Sequence, residues 1–161
     1  PNAPMIPITL NQGLEMRGWY DIESLSFMRH DIDGMNKSMV YIEKIISERV
    51  INSINSLKIC LVGFSQGAVL SLYIAANSSR KLNGVVALSG YLPEKNVVKA
   101  SSKMPILAIH GHHDDIININ YAKKSFCDLM PMEYFNLLTF PMGHEVIDEE
   151  IMHIKQFLQR A

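Results

Sequence analysis

Three residues spread along this chain have the types and settings that nucleophilic catalysis needs. Ser65 sits in Gly63-Phe64-Ser65-Gln66-Gly67, a G-x-S-x-G frame. An apolar run, Ile59-Cys60-Leu61-Val62, stops at Gly63, and a helical pattern starts straight after Gln66. Such a frame marks a sharp strand-to-helix turn that lifts a serine clear of a sheet. The flanking glycines have a steric reason. The helix must pass close to the strand, so side chains at Gly63 and Gly67 would collide. A serine hydroxyl is a poor nucleophile at neutral pH and needs a base. His144, in Pro141-Met142-Gly143-His144, stands in a loop after a strand pattern and before a helical one. A buried carboxylate then fixes the imidazole tautomer and stabilises the imidazolium. Asp114 and Asp115 both follow His110-Gly111-His112-His113, just past a strand, and spacing alone does not separate them.

The oxyanion of such a reaction needs two backbone donors. One is the residue after the nucleophile, Gln66, whose amide opens a helix where the dipole favours negative charge. The second normally comes from a Gly-rich loop after an earlier strand. Gln12-Gly13 and Arg17-Gly18 are the only earlier candidates, and neither has that setting. Other histidines suit blander roles: solvated surface for His30 and His153, a structural hydrogen bond for His110 at a strand end. The run His110-x-His112-x-Asp114 also offers a rival chemistry. Imidazoles and a carboxylate so close suit a transition metal, which makes a metal-dependent hydrolase one alternative reading; the other is a catalytically impaired remnant lacking half of the oxyanion hole. Asp115 stands where that pattern has a further histidine, and no second ligand set follows beyond His144.

The elements that must position these residues alternate. A short β-like piece covers Ile6 to Leu10, followed by the aromatic loop Arg17-Gly18-Trp19-Tyr20-Asp21. Met35, Met39, Ile42 and Ile46 share one face of a helix from about Asp33 to Ile51, capped by Asp31 or Asp33 and ended by 52–56. Strands are expected at Lys58 to Val62, Gly84 to Leu88, Met104 to His110 and Glu133 to Phe140. Helices are expected after Ser65, with Val69, Leu72, Tyr73 and Ala76 inward, at about Asn120 to Met130, and at the end, with Ile147, Ile151, Ile154 and Leu158 inward. Several strands are near-continuous apolar runs, which indicates a parallel sheet covered on both faces. Ligands then gather beyond the carboxyl ends of the strands, where Ser65, Asp114 and His144 all fall. Their order along the chain, Ser, Asp, His, is that of the α/β-hydrolase arrangement.

Composition bounds the rest. The 161 residues suit one domain over 1–161, and 48% hydrophobic residues allow a real core. A net charge of −1 leaves no footprint for nucleic acid or an anionic membrane. No apolar stretch is long enough to span a bilayer, and no signal peptide is visible at Pro1-Asn2-Ala3-Pro4. Cys60 and Cys127 read as core thiols of a reducing compartment, which makes the cytoplasm the expected location. No cofactor or metal is required by the serine chemistry.

Five segments resemble the phospholipase/carboxylesterase family of α/β-hydrolases, which includes bacterial carboxylesterases and acyl-protein thioesterases. Pro1-Asn2-Ala3-Pro4 with Ile6-Pro7-Ile8-Thr9 is similar to its P-x-A-P-x-x-P-V-T segment, and Trp19-Tyr20-Asp21 to its W-[FY]-D loop. Gly63-Phe64-Ser65-Gln66-Gly67 matches its G-F-S-Q-G elbow. His110-Gly111-x-x-Asp114 and Met142-Gly143-His144 match its H-G-x-x-D and G-M-G-H segments. The resemblance implies an α/β-hydrolase fold and a serine hydrolase acting on carboxylic esters or thioesters. It implies Asp114 as the acid, although Asp115 stands where the family usually has proline. It implies small esters, lysophospholipids or acylated proteins as substrates, and it allows a homodimer. Trp19, Tyr91 and Leu92 are candidates for an acyl groove. The family also carries N-terminal strands and an H-G-x-G loop, the source of the second oxyanion donor, that this sequence lacks. The expectation is therefore an exposed sheet edge beside the Ser65 strand, poor solubility, and ester hydrolysis lowered by roughly 10²–10³ for want of that donor.

Overall fold

A computed structural model describes residues 1–26, 29–51, 58–93 and 104–161. They form two compact units, 1–57 and 58–161. In the first unit, β1 (Met5–Ile8) and β2 (Leu14–Arg17) pair antiparallel, with Met5 opposite Arg17 and Ile8 opposite Leu14. Gln12 and Gly13 turn the chain between them at positive φ, 58° and 78°. β2 is an addition to the sequence reading, which assigns no strand between Leu10 and the loop that begins at Arg17. Its four residues are all exposed and show no buried face for a pattern to reveal. The Asp21 carboxylate ties the following loop back, accepting from the Thr9 amide at 2.7 Å and the Thr9 hydroxyl at 2.5 Å. α1 (Ile32–Ile51) buries Met35, Ser38, Ile42 and Ile46. Asp31 is its cap, accepting from the Gly34 amide at 2.9 Å. The expected helix stop at 52–56 lies outside the described residues.

The second unit carries a parallel sheet in the order β3-β4-β5-β6: Cys60–Phe64, Gly84–Leu88, Ile106–Gly111 and Phe135–Phe140. Every residue of β4 and β5 is buried, so both faces of the sheet's centre are covered. β3 is an edge strand among the described residues, and Val62 and Phe64 on it are exposed. α2 (Gln66–Asn77) packs on β3 and β4, and α3 (Ile119–Ser125) follows β5. α3 is shorter than the expected Asn120 to Met130 helix. Its last carbonyls are taken up by the Phe126 amide, and the chain continues in turns. Cys127 falls in these turns and is exposed, while Cys60 is only half-buried, so neither is the fully buried core thiol expected.

α4 (Asp148–Arg160) covers the face made by Val86, Leu88, Leu107, Ile109 and Met142. Its inward residues are Ile147, Ile154 and Phe157, not the expected stripe, because Ile151 and Leu158 are exposed. Glu150 takes the inward place one turn after Ile147 and is completely buried. Its Oε2 accepts from the Ile147 amide at 2.9 Å, which caps the helix start, while Oε1 has no partner among the described residues. Burial pushes the Glu150 carboxyl above its ordinary range, with Glu145 adding to the shift against the Ile147 hydrogen bond. A carboxyl whose folded pKa is raised favours the fold while protonated and loses that contribution as pH rises through the folded value. Glu150→Gln keeps the acceptor without the charge. Its melting temperature is expected to match the parent at pH 4 and to exceed it by a few degrees at pH 8, the scale on which about 1 kcal/mol moves a chain of this size. Equal differences at both pH values in a thermal scan would count against a buried charge.

Candidate active site

The turn from β3 into α2 is tight. Ser65 has φ 54° and ψ −119°, a conformation that costs a non-glycine residue energy and persists only when its surroundings enforce it. The enforcement is visible. The Ser65 amide donates to the Leu88 carbonyl of β4 at 2.8 Å, and the Ser65 carbonyl accepts from the Ala68 amide at 3.0 Å. A Cβ on Gly63 would run into the backbone of Gly67 and Ala68. One on Gly90 would meet the Ala68 side chain. The Gln66 amide stands at the first position of α2, directly after the serine.

The loops after β5 and β6 are knitted by their backbones. The His112 amide donates to the Phe140 carbonyl at 2.8 Å, and the His113 amide to the Met142 carbonyl at 3.0 Å. A Cβ on Gly111 would collide with the carbonyls of Met142 and Gly143, so the close approach of the two loops requires glycine there. This fixes His144 relative to the end of β5. His144 Nδ1 lies 2.8 Å from Asp114 Oδ2, and His144 Nε2 lies 2.8 Å from Ser65 Oγ. The Phe64 ring packs against the imidazole, centroids 4.9 Å apart.

The two aspartates left open by spacing are separated here by burial. Asp114 is buried and meets His144, whereas Asp115 is exposed. Burial alone would raise the Asp114 carboxyl. Hydrogen bonds from His144 and from the Ile117 and Ile116 amides outweigh it and hold the carboxyl below its ordinary value. Asp114 is therefore a carboxylate at neutral pH, and it accepts from the protonated Nδ1 of His144. Nε2 then carries the lone pair that faces the serine hydroxyl.

The rival metal set does not assemble. His110 is completely buried and its Nε2 lies 2.7 Å from the Ile117 carbonyl, while His112 is exposed. Among the described residues no three histidine, cysteine or acidic side chains converge as ligands. Of the acyl-groove candidates, Tyr91 is buried, edge-on to Tyr121 at 5.1 Å, and Leu92 is half-buried, its amide donating to the Ser125 hydroxyl at 3.0 Å. Trp19 is half-buried in the first unit, its ring 6.5 Å from Tyr41. Sequence reasoning grouped His110 with Asp114 only as metal ligands; the structure sets the His110 imidazole beside the candidate acid. His110 Nε2 is 3.2 Å from Asp114 Oδ2. Their four-residue spacing across a strand end is the only signal the sequence holds.

A model of the family described as Phospholipase/Carboxylesterase matches residues 1–161. The chain is 37% identical over 169 residues to acyl-protein thioesterase 1 of Debaryomyces hansenii, covering 98% of this chain and 73% of that protein. It is 39% identical over 172 residues to acyl-protein thioesterase 1 homolog 1 of Dictyostelium discoideum, covering 100% of this chain and 75% of that protein. Among solved structures, Zea mays acyl-protein thioesterase 2 superposes with a TM-score of 0.86 at 24% identity, covering 99% of this chain and 79% of that one. Arabidopsis thaliana SOBER1 gives a TM-score of 0.84 at 25% identity over 99% of this chain and 81% of that one.

Proposed function

The chain belongs to the phospholipase/carboxylesterase family, an α/β-hydrolase acting on carboxylic esters or thioesters, and on that premise we propose that Ser65, His144 and Asp114 carry its reaction. Ser65 Oγ attacks the carbonyl carbon while its proton passes to His144 Nε2. The carbonyl oxygen becomes an oxyanion, held by the Gln66 amide at the start of α2. Asp114 keeps the proton on His144 Nδ1 and stabilises the imidazolium. The tetrahedral intermediate collapses, and the leaving alcohol or thiol takes the proton from His144. Water then attacks the acyl-Ser65 ester with His144 again as base, releasing the acid and restoring the serine.

One observation carries this assignment: a single imidazole within 2.8 Å of both the serine hydroxyl and a buried carboxylate. The relatives' names favour S-acylated proteins over lipids as substrates, with Leu92 as the first place to look for acyl contacts. Both cysteines are free thiols, and on that ground we place the protein in the reducing cytoplasm. No helix among the described residues is long and apolar enough to cross a membrane.

The test is covalent. A fluorophosphonate probe should label the chain once, and peptide mapping should find the adduct on Ser65. Hydrolysis of a short p-nitrophenyl ester and of an acyl thioester should be blocked by that label and unchanged by a chelator. Label on another residue, or activity lost to the chelator, would sink the assignment.

A further inference from the structure

Asp114 is held on all sides. Its Oδ1 accepts from the Ile116 amide at 3.0 Å and the Ile117 amide at 2.7 Å. Its Oδ2 meets His144 Nδ1 at 2.8 Å and, from the other side, His110 Nε2 at 3.2 Å. His110 Nε2 also lies 2.7 Å from the Ile117 carbonyl. A carbonyl only accepts, so Nε2 carries the proton and donates it to Ile117, with Asp114 Oδ2 3.2 Å from the same nitrogen. The Ile116 and Ile117 amides thus bind one carboxylate oxygen, and the His110 imidazole stands close to the other.

The ring is neutral. Burial holds its pKa below the ordinary histidine value, and the nearby His144 lowers it further, against the backbone of Ile117 and Gly90 and the Asp114 charge. Asp114 and His144 are the titratable groups it faces among the described residues. A neutral ring matters for chemistry. An imidazolium here would compensate the Asp114 charge that His144 needs, whereas a neutral N–H directs the carboxylate without cancelling it. The position is also costly for a polar group. The preceding β5 residues, Ile106 to Ile109, are all apolar and buried, and His110 is buried as deeply. An aliphatic side chain would avoid that cost and would lose the Nε2 donor.

We propose that His110 is a positioning residue of the triad: its Nε2–H holds Asp114 Oδ2 in line with His144 Nδ1. The role rests on the triad assignment above. A carboxylate freed on that side keeps its two backbone bonds through Oδ1 and can swing Oδ2 away from His144. His144 then loses the alignment that makes it a base.

The test uses His110→Leu, which removes the donor, and His110→Gln, which returns an N–H at similar reach. Both are measured against the unaltered chain with a p-nitrophenyl ester across pH, beside near-ultraviolet circular dichroism. His110→Leu is expected to lower kcat by about 10–100-fold, the range seen when an orienting partner is lost, with KM little changed. The kinetic pKa that reports His144 should move down, because a misaligned carboxylate supports the imidazolium less. His110→Gln should recover most of kcat and the parent pKa. Should His110→Leu not fold, His110→Asn, whose amide is too short to reach Oδ2, replaces it. Parent-like kcat and pKa in the donor-less variant overturn the proposal. So does an equal loss in both variants at the parent's kinetic pKa, which marks a packing role only. Absence of Ser65-dependent turnover in the unaltered chain overturns the triad itself, and His110's role with it.

Discussion

Ser65→Ala should abolish fluorophosphonate labelling and lower kcat/KM for a p-nitrophenyl ester by about 10⁶-fold, the scale on which a triad nucleophile acts. The loss is chemical and not structural. The backbone of residue 65 keeps its amide bond to the Leu88 carbonyl and its carbonyl bond from Ala68. Alanine tolerates the positive φ about as well as serine does, so the melting temperature should stay within about 2 °C of the parent, the shift that some 0.5 kcal/mol produces in a chain of this length. The two readouts together are decisive. A variant that folds normally and keeps more than about a thousandth of parental turnover would mean that another nucleophile does the work.

Asp114→Asn should cost about 10⁴-fold in kcat, as an amide in the place of a triad acid does elsewhere. The reason is visible at each lone pair. The carbonyl oxygen of the new side chain must take the place of Oδ1, because the Ile116 and Ile117 amides point there with protons. Its amide nitrogen then occupies the place of Oδ2 and presents N–H to His144 Nδ1 and His110 Nε2. His144 responds by moving its proton to Nε2. It then donates to Ser65 Oγ where it should accept, and the serine has no base. The pH dependence of stability changes as well. The depressed folded pKa of Asp114 contributes stability that is present above the ordinary carboxylate value and is lost as pH falls through the folded one. In acid titrations the asparagine variant should therefore lose less stability than the parent as pH falls below the ordinary carboxylate range. An unchanged acid limb would argue that Asp114 is not held as a carboxylate.

Much of this site is written in residue order. Strand ends can be read from apolar runs that stop at Gly63, Gly111 and Phe140, and a parallel sheet brings such ends together. Ser65 and His144 follow from that logic together with the G-x-S-x-G frame. The choice between Asp114 and Asp115 does not, because neighbouring residues in a loop differ only in which way the turn points them. That direction is set by the Ile116 and Ile117 amides folding back on Oδ1, a contact with no compositional signature. The inward face of α4 is hidden for a related reason. Periodicity counts apolar residues, and the buried position one turn in is filled by a carboxylate, Glu150, which makes the stripe appear to run through Ile151. β2 is illegible because exposed residues on a two-stranded ribbon carry no alternation of burial to read.

The sheet order governs how the protein comes to life. Ser65 and His144 stand 79 residues apart, and their strands, β3 and β6, are separated by β4 and β5. Among the described residues, no smaller set of neighbouring strands contains all three groups of the proposed triad. Parallel pairing of this kind is non-local and forms slowly, because each strand must wait for a long intervening segment to close. A partly folded or nascent chain can present the serine elbow against β4 long before the base arrives with β6. If the proposed triad carries the reaction, such a chain is chemically silent until the last strand docks. Enzyme activity would then report cooperative completion of the sheet, more stringently than secondary structure content does.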